Sequence, residues 1–376
     1  MKKTAVVILL LFPCLLIAQS LEVTQTDKEI MKHLFGGAWQ KSDSLITVEM
    51  AKLPNHPKYI FLKAYHSLYS RMVGTSSITR DQSIELIKEF TWKAITVGEK
   101  LPQTTDVKFY MGYAYHFLCR ANVMRQEWWT AYWNARKCRN LLEEVIKEDP
   151  SINDAYFALA LTEYYPAVGV TGYKSTLAWF GGMSGDRAKG LEYFHKAADN
   201  GNLFRDEAQY ALAIVYGARA AENKPEQALG YWDVLLKRYP QVSAFRNSYN
   251  AAYLNVEVRK RGVRFLEDEL DSIKVRYRIN FPYMLNSIGN GLVADQRFDD
   301  ALLVLNINTR LYPDAAQTYI NIGECYLQLK DGRNAARYYA MANEKLPADT
   351  TLSAQYKETL KTQITEKLGD LGVRLQ

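Results

Sequence analysis

Residues 282–315, PYMLNSIGNGLVADQRFDDALLVLNINTRLYPDA, and residues 316–349, AQTYINIGECYLQLKDGRNAARYYAMANEKLPAD, decide the fold. Laid one above the other, they pair Leu285 with Tyr319, Ile288 with Ile322, Gly289 with Gly323 and Leu292 with Tyr326. Further along, Ala301 pairs with Ala335, Leu305 with Tyr339 and Pro313 with Pro347, every pair 34 residues apart. A repeat of that period marks stacked pairs of helices. Glycine inside a helix costs about 1 kcal/mol relative to alanine, so its recurrence at Gly289 and Gly323 predicts helices close enough to exclude a side chain. Ala301 and Ala335 open each second helix with the same need for a small residue, while Pro313 and Pro347 stop it. The large residues between them fill the space between the helices.

The order of large residue, small residue, aromatic, alanine, aromatic and terminal proline resembles the tetratricopeptide repeat. That resemblance implies an all-α fold, a right-handed α-solenoid of helix pairs. Upstream the pattern continues with decay. Tyr216, Ala228, Trp232 and Pro240 fit one repeat with three residues added at its inner turn, and Tyr253 with Leu266 fits a degenerate one. Gly112, Tyr115, Leu142, Val145 and Pro150 outline another, its second helix lengthened by Glu127 to Lys137. Pro54 and Pro57 punctuate a further pair, Leu45 to Leu53 and Tyr59 to Tyr69. The expected organisation is therefore degenerate repeats over 20–150, repeats over 151–240 interrupted by an insertion, and repeats over 241–349 that are clearest at 282–315 and 316–349. After Pro347, the apolar stripe Leu352, Tyr356, Leu360, Ile364 and Leu368 predicts a C-terminal capping helix over 350–376. No alternating strand pattern occurs, so neither Asn200-Gly201 nor Asn290-Gly291 reads as a hairpin.

The insertion is the segment 166–186, where Gly169, Gly172, Gly181, Gly182 and Gly185 surround the apolar run Leu177 to Phe180. Its far end, Ser184-Gly185-Asp186-Arg187 with Gly190, Leu191, Ala197 and Ala198, is similar to a eukaryotic tetratricopeptide-repeat family implicated in inclusion-body clearance. That similarity implies a non-enzymatic role and specifies no ligand.

Lys2 and Lys3, followed by the apolar run Ala5 to Ala18 and by Gln19-Ser20, read as a signal peptide over 1–19. Export to the periplasm or cell envelope follows as an expectation, with cleavage near Gln19. An uncleaved anchor is the alternative, although Pro13 and the shortness of the run oppose it. Lipidation at Cys14 is another, opposed by Pro13 where lipoprotein signals want a small residue. No later stretch reads as a transmembrane span. The chain carries 47 Lys plus Arg against 41 Asp plus Glu. Without Lys2 and Lys3 the balance is 45 against 41, too mild to demand nucleic acid. Cys119, Cys138 and Cys325 then remain, an odd number that implies no disulfide framework and is read as buried thiols.

Catalytic and metal signatures are missing. His33, His56, His66, His116 and His195 are scattered, and no Cys-x-x-Cys occurs, so neither a metal nor any other cofactor is expected. Gly182-Met183-Ser184-Gly185-Asp186 lacks the final glycine and preceding strand of a nucleophile elbow. Arg259, Lys260, Arg261 and Arg264 are offset by Glu267, Asp268, Glu269 and Asp271, which reads as a solvated helix face. Trp129, Tyr132 and Trp133, beside Trp128, share one helical face and are read as core, with a ligand platform as the rival.

In the tetratricopeptide architecture the first helix of each pair lines a concave groove. The resemblance places Phe109, Tyr113, His116 and Phe117 there in one repeat and Phe157, Leu161, Tyr164 and Tyr165 in the next. Its C-terminal lining would be Asn286, Asn290, Gln317, Glu324 and Gln328. An extended peptide or amphipathic helix docked on the aromatic stretch is the expected use, unless the insertion or an N-terminal helix already fills it. The leading expectation is an exported, non-catalytic scaffold for a protein or peptide partner. One alternative is a glycan-binding protein similar to the SusD-like outer-membrane receptors. Another is an enzyme or regulator with its site in the 166–186 insertion.

Overall fold

The computed structural model describes residues 21–72, 79–169, 185–218, 221–279 and 282–373. Helices account for the regular structure, and no strand occurs among the described residues. Contacts divide the chain into two compact units, Met1–Ala211 and Leu212–Gln376. This boundary falls inside a helix, away from the divisions at 150 and 240 that the sequence suggested.

The N-terminal unit contains α1 (Gln25–Phe35), α2 (Trp39–Lys52), α3 (Pro57–Met72), α4 (Arg80–Gly98), α5 (Thr105–Met124), α6 (Trp128–Glu148), α7 (Ala155–Gly169) and α8 (Arg187–Asn200), with the first half of α9 (Arg205–Gly217). Each of α1 to α7 packs on the next, α7 packs on α8, and α1, α3, α5 and α7 also touch in succession. That neighbour-only pattern is the physical meaning of a repeat array. Helix starts follow their capping residues. Thr24 and Asp27 form a reciprocal capping box on α1, as Thr79 and Gln82 do on α4, and the Asp186 side chain caps α8. Small residues set the close approaches. A Cβ at Gly112 would lie 2.8 Å from the Leu142 side chain, and one at Gly190 would lie 2.8 Å from the Tyr164 backbone nitrogen. The insertion falls largely on residues outside those described. Its flanks are among the described residues: α7 continues through Pro166 to Gly169, and Gly185 takes φ 71°.

Aromatic rings fill this unit's interior. Phe61, Tyr65, Phe109, Tyr110, Tyr113, Phe117, Phe157, Tyr164, Phe194 and Phe204 are all fully buried. Phe204, just before α9, stacks on Tyr113 with centroids 4.1 Å apart and also meets Phe109, Phe157 and Tyr65. Asp154 holds Phe204 there. Its carboxylate accepts the backbone N–H groups of Asn202, Leu203 and Phe204 at 2.8–3.0 Å. Burying the Leu203 and Phe204 donors is tolerable only because each finds a partner.

The C-terminal unit contains the rest of α9, then α10 (Pro225–Arg238), α11 (Ser243–Arg261), the short α12 (Phe265–Asp268) and α13 (Leu270–Arg276), α14 (Tyr283–Ala294), α15 (Phe298–Leu311), α16 (Ala316–Gln328), α17 (Gly332–Lys345) and α18 (Ala354–Asp370). The two clear repeats become α14–α15 and α16–α17, and α18 packs on α17 as the cap. A Cβ at Gly289 would lie 2.6 Å from Leu305, and one at Gly323 would lie 3.1 Å from Tyr339, so both glycines exclude a side chain from the same place in each pair. Leu360, Ile364 and Leu368 of α18 are buried against the cluster that holds Tyr339 and Ala335.

The turn inside each of these pairs also repeats. Gln296 and Lys330, 34 residues apart, take φ 59° and 60°, and the next residues, Arg297 and Asp331, donate backbone bonds to Leu292 and Tyr326. Gln126 does the same at φ 61°, with Glu127 bonding back to Asn122. A side chain in this left-handed region costs about 1–2 kcal/mol, which the reciprocal backbone bond and the helix packing offset.

Candidate functional site

Six of the eight residues expected to form an aromatic groove are instead core. Phe109, Tyr113, His116, Phe117, Phe157 and Tyr164 are buried, Leu161 is half-buried, and only Tyr165 is exposed, at 43%. The physical reason is that the chain covers its own aromatic face. Phe61 and Tyr65 of α3 lie 5.2 Å from Phe117, and Phe204 closes over Tyr113. The covering groups come from α3, an N-terminal helix of the kind the sequence reading named as a possible occupant, and from Phe204 just before α9, which it did not name.

Polar groups line the inside of this cover. Glu207, 2% exposed, accepts the Tyr65 hydroxyl at 2.7 Å and Arg120 Nη1 at 2.9 Å. Burial and then the Glu207 charge push the Tyr65 and Tyr69 phenols far above their ordinary values. Burial opposes the charge on Arg120, but the Glu207 carboxylate beside it outweighs this and holds the guanidinium protonated. A second buried carboxylate, Glu163, bridges Arg139 and Lys189 at 2.9 Å each and so joins α6, α7 and α8. In both clusters the buried carboxylate is met by cations from other helices, which makes them stays between helices.

His116 gives this core a pH signature. It is buried, its Nε2 has no hydrogen-bond partner, and burial followed by the nearby Arg120 charge lowers its pKa well below the ordinary value. His66 shifts the same way, from burial against the opposing pull of Asp43. Below about pH 6.5 the unfolded imidazole binds a proton that the folded one resists, so stability is full above that pH and falls as pH drops. Denaturant midpoints measured from pH 7.5 to 5 are expected to fall, and His116→Gln is expected to flatten part of that slope. Equal slopes in the two proteins would remove His116 from the account.

The C-terminal unit presents a cavity of about 690 Å³, lined by Asn290, Val293, Ala294, Gln296, Phe298, Asn321, Glu324 and Gln328. Helices α14 and α16 supply most of the lining, and the left-handed turn at Gln296 with Phe298 completes it. Asn290, Glu324 and Gln328 were among the groove residues expected from the sequence. Asn286 was too, but it is buried, and its Oδ1 accepts Asn308 Nδ2 at 2.9 Å. Gln317 stands behind the wall, where its Nε2 donates to Asn321 Oδ1 at 3.1 Å. Asn321 is the lining residue that repeat counting missed. It is 6% exposed, and its Nδ2 has no hydrogen-bond partner. A buried amide donor without a partner costs about 1–3 kcal/mol, which a bound acceptor would recover.

Elsewhere, Trp128, Trp129 and Trp133 are exposed, not core, with Trp129 at 68%. The buried face of α6 is carried by Ala131, Asn134, Ala135, Cys138, Leu142 and Val145, which leaves the tryptophans on the opposite side. Trp129 stacks on Tyr132 at 16° but stands at 89° to Trp133, so the indoles do not form one flat platform. Cys138 and Cys325 are buried, Cys119 is half-buried, and all three are free thiols whose pKa burial raises. In the basic run, Arg261 pairs with Glu257 and Glu269, and Arg259 donates to Asn223 and Asn255. Among the described residues no group of three or more His, Cys, Asp or Glu side chains is placed to hold a metal ion. Nor is any described helix long and apolar enough to cross a membrane.

No family profile matches the chain, and no curated protein sequence matches it. Among solved structures, the chain is similar to the crystal structure of the yeast Tom70, at 13% identity and TM-score 0.33, over 89% of this chain and 72% of that one. It is also similar to the P58(IPK) TPR domain, at 12% identity and TM-score 0.22, over 92% of this chain and 98% of that one. The tetratricopeptide-like helical repeat itself rests on the 34-residue spacing and the helix-pair packing already described.

Proposed function

We propose that the chain is a non-catalytic scaffold whose C-terminal repeats bind an extended peptide in the cavity between α14 and α16. The observation that carries this reading is Asn321, a buried carboxamide that lines the cavity and has an unpartnered donor. Asn290, Gln296 and Gln328 add three more carboxamides on the same lining. A carboxamide donates and accepts at once, as a peptide group does, so such a wall suits the main chain of a partner. Apolar Val293, Ala294 and Phe298 would take up alternate side chains. Export through the segment 1–19 belongs to the same proposal and places the partner in the cell envelope.

The test is a screen of short synthetic peptides of randomised sequence against the full chain. It is repeated with Asn321→Ala and Asn290→Ala, and circular dichroism verifies that both variants remain helical. Selected peptides are expected to bind the variants about five- to tenfold more weakly, since each lost bidentate amide contact is worth about 1–1.5 kcal/mol. Unchanged affinity in both variants would overturn the site.

A glycan reading draws on the exposed Trp128, Trp129 and Trp133. The perpendicular setting of Trp129 and Trp133 weakens it, because sugar rings stack on flat faces. Binding of oligosaccharides that is lost in Trp129→Ala and retained in Asn321→Ala would favour it over the peptide.

A further inference from the structure

Charge in the C-terminal cavity is one-sided. Of its eight lining residues, five are polar, and Glu324 is the one that carries a charge. The carboxylate is 40% exposed and meets one cation, Lys367 of α18, at 3.1 Å. That lysine comes from outside the repeat, on the capping helix, and is itself 42% exposed. Arg297, the arginine nearest the lining in sequence, is occupied by Asp300 at 2.6 Å. Beneath Glu324 lies the buried Tyr339 ring. Burial, then hydrogen bonding to Glu324 and its charge, raise the phenol far above the ordinary value, so it stays neutral. Phe298 stands half-buried on the lining of the same cavity, a ring against which the methylene stem of a long side chain can lie.

We propose that this cavity selects a peptide presenting a lysine or arginine side chain to Glu324, and that Lys367 occupies the place of that cation when no partner is bound. The proposal rests on the peptide-binding reading of the same cavity and adds its charge preference and its internal competitor. An acidic peptide or a chain-terminal carboxylate would meet Glu324 without a cation on the lining to receive it. A partner's basic group meets a carboxylate already positioned by α16. Exchanging Lys367 for the ligand costs little, because a solvent-exposed ion pair contributes only about 0–1 kcal/mol. Released, Lys367 would stay mobile on the last turns of α18, whose buried anchors Leu360, Ile364 and Leu368 do not involve it.

The experiment takes one peptide recovered by the screen above and makes three versions, with lysine, methionine or glutamate at the position that faces Glu324. Their affinities for the normal protein, Glu324→Gln and Lys367→Met are measured by fluorescence anisotropy at low and high salt. The lysine version is expected to bind the normal protein about fivefold more tightly than the methionine version and to lose that margin in Glu324→Gln and in high salt. In Lys367→Met the lysine version is expected to gain two- to fivefold, while the methionine version is unchanged. Circular dichroism verifies that Glu324→Gln remains helical, and the methionine version is expected to lose less affinity in that variant than the lysine version does. If all three versions bind equally and Asn321→Ala still weakens them, the charge preference is wrong and the peptide site stands. A glutamate version that binds best overturns the proposal outright. If the screen recovers no peptide, the site and its charge preference fail together.

Discussion

Replacing Asp154 with alanine is expected to destabilise the N-terminal unit by about 3–5 kcal/mol, because two buried backbone donors and a third half-buried one lose their acceptor at once. The carboxylate is 2% exposed and takes the N–H groups of Asn202, Leu203 and Phe204. Those bonds position Phe204, whose ring closes the aromatic core over Tyr113. The same segment leads into Glu207, the acceptor of Tyr65 and Arg120, so the loss spreads beyond the three bonds. For a chain of this size each kcal/mol corresponds to about 2–4 °C, so the melting temperature is expected to fall by about 10 °C. Asp154→Asn keeps one carbonyl oxygen in place and should recover most of the loss. An alanine variant within about 1 kcal/mol of the normal protein would mean that Phe204 seats itself without the carboxylate.

Lys58→Met is expected to cost nearly as much, by a different mechanism. Asp27 is fully buried and Lys58 nearly so, with Nζ 2.6 Å from Oδ2, and Lys58 also donates to the Glu22 carbonyl at 3.1 Å. Removing one member of a buried pair leaves an uncompensated charge and costs about 3–5 kcal/mol. The neighbouring Tyr59 phenol, raised by burial and then by the Asp27 charge, stays neutral and brings no positive charge to replace Lys58. Urea unfolding should show a lower midpoint at unchanged slope. The double variant Lys58→Met with Asp27→Asn should be more stable than Lys58→Met alone, since the stranded charge goes with it, although the Thr24 cap weakens by about 1 kcal/mol. A double variant less stable than the single one would contradict the stranded-charge account.

Legibility in the sequence varied with how local the cause was. Gly289 and Gly323 announced close helix approach, and their missing side chains do face Leu305 and Tyr339. Pro313 and Pro347 announced helix ends, and α15 and α17 end two residues before them. The apolar stripe after Pro347 announced a cap, and Leu360, Ile364 and Leu368 are its buried face. The inner turns were less legible, because the left-handed positions are held by Gln126, Gln296 and Lys330, where glycine would be the recognisable signal. Polar lining was partly legible. Counting along the repeat found Asn290, Glu324 and Gln328 but passed over Asn321.

The aromatic groove failed for a reason that no repeat count contains. Phe109, Tyr113 and Phe117 do lie on the first helix of their pair, as the count requires, but whether that face meets solvent depends on what else reaches it. Phe204 reaches it from 87 positions beyond Phe117 in the chain, guided by a carboxylate at 154. The tryptophans of α6 failed in the other direction, since a shared helical face says that residues lie together and not which way they look. By itself, then, the sequence determined the helices, their pairing, their stops and the cap, because each follows from residue spacing within one repeat. Only the tertiary structure decided which faces stay open, because burial is set by contacts between segments far apart in sequence. It closed the aromatic face over Phe204 and left open the carboxamide-lined cavity beside Glu324.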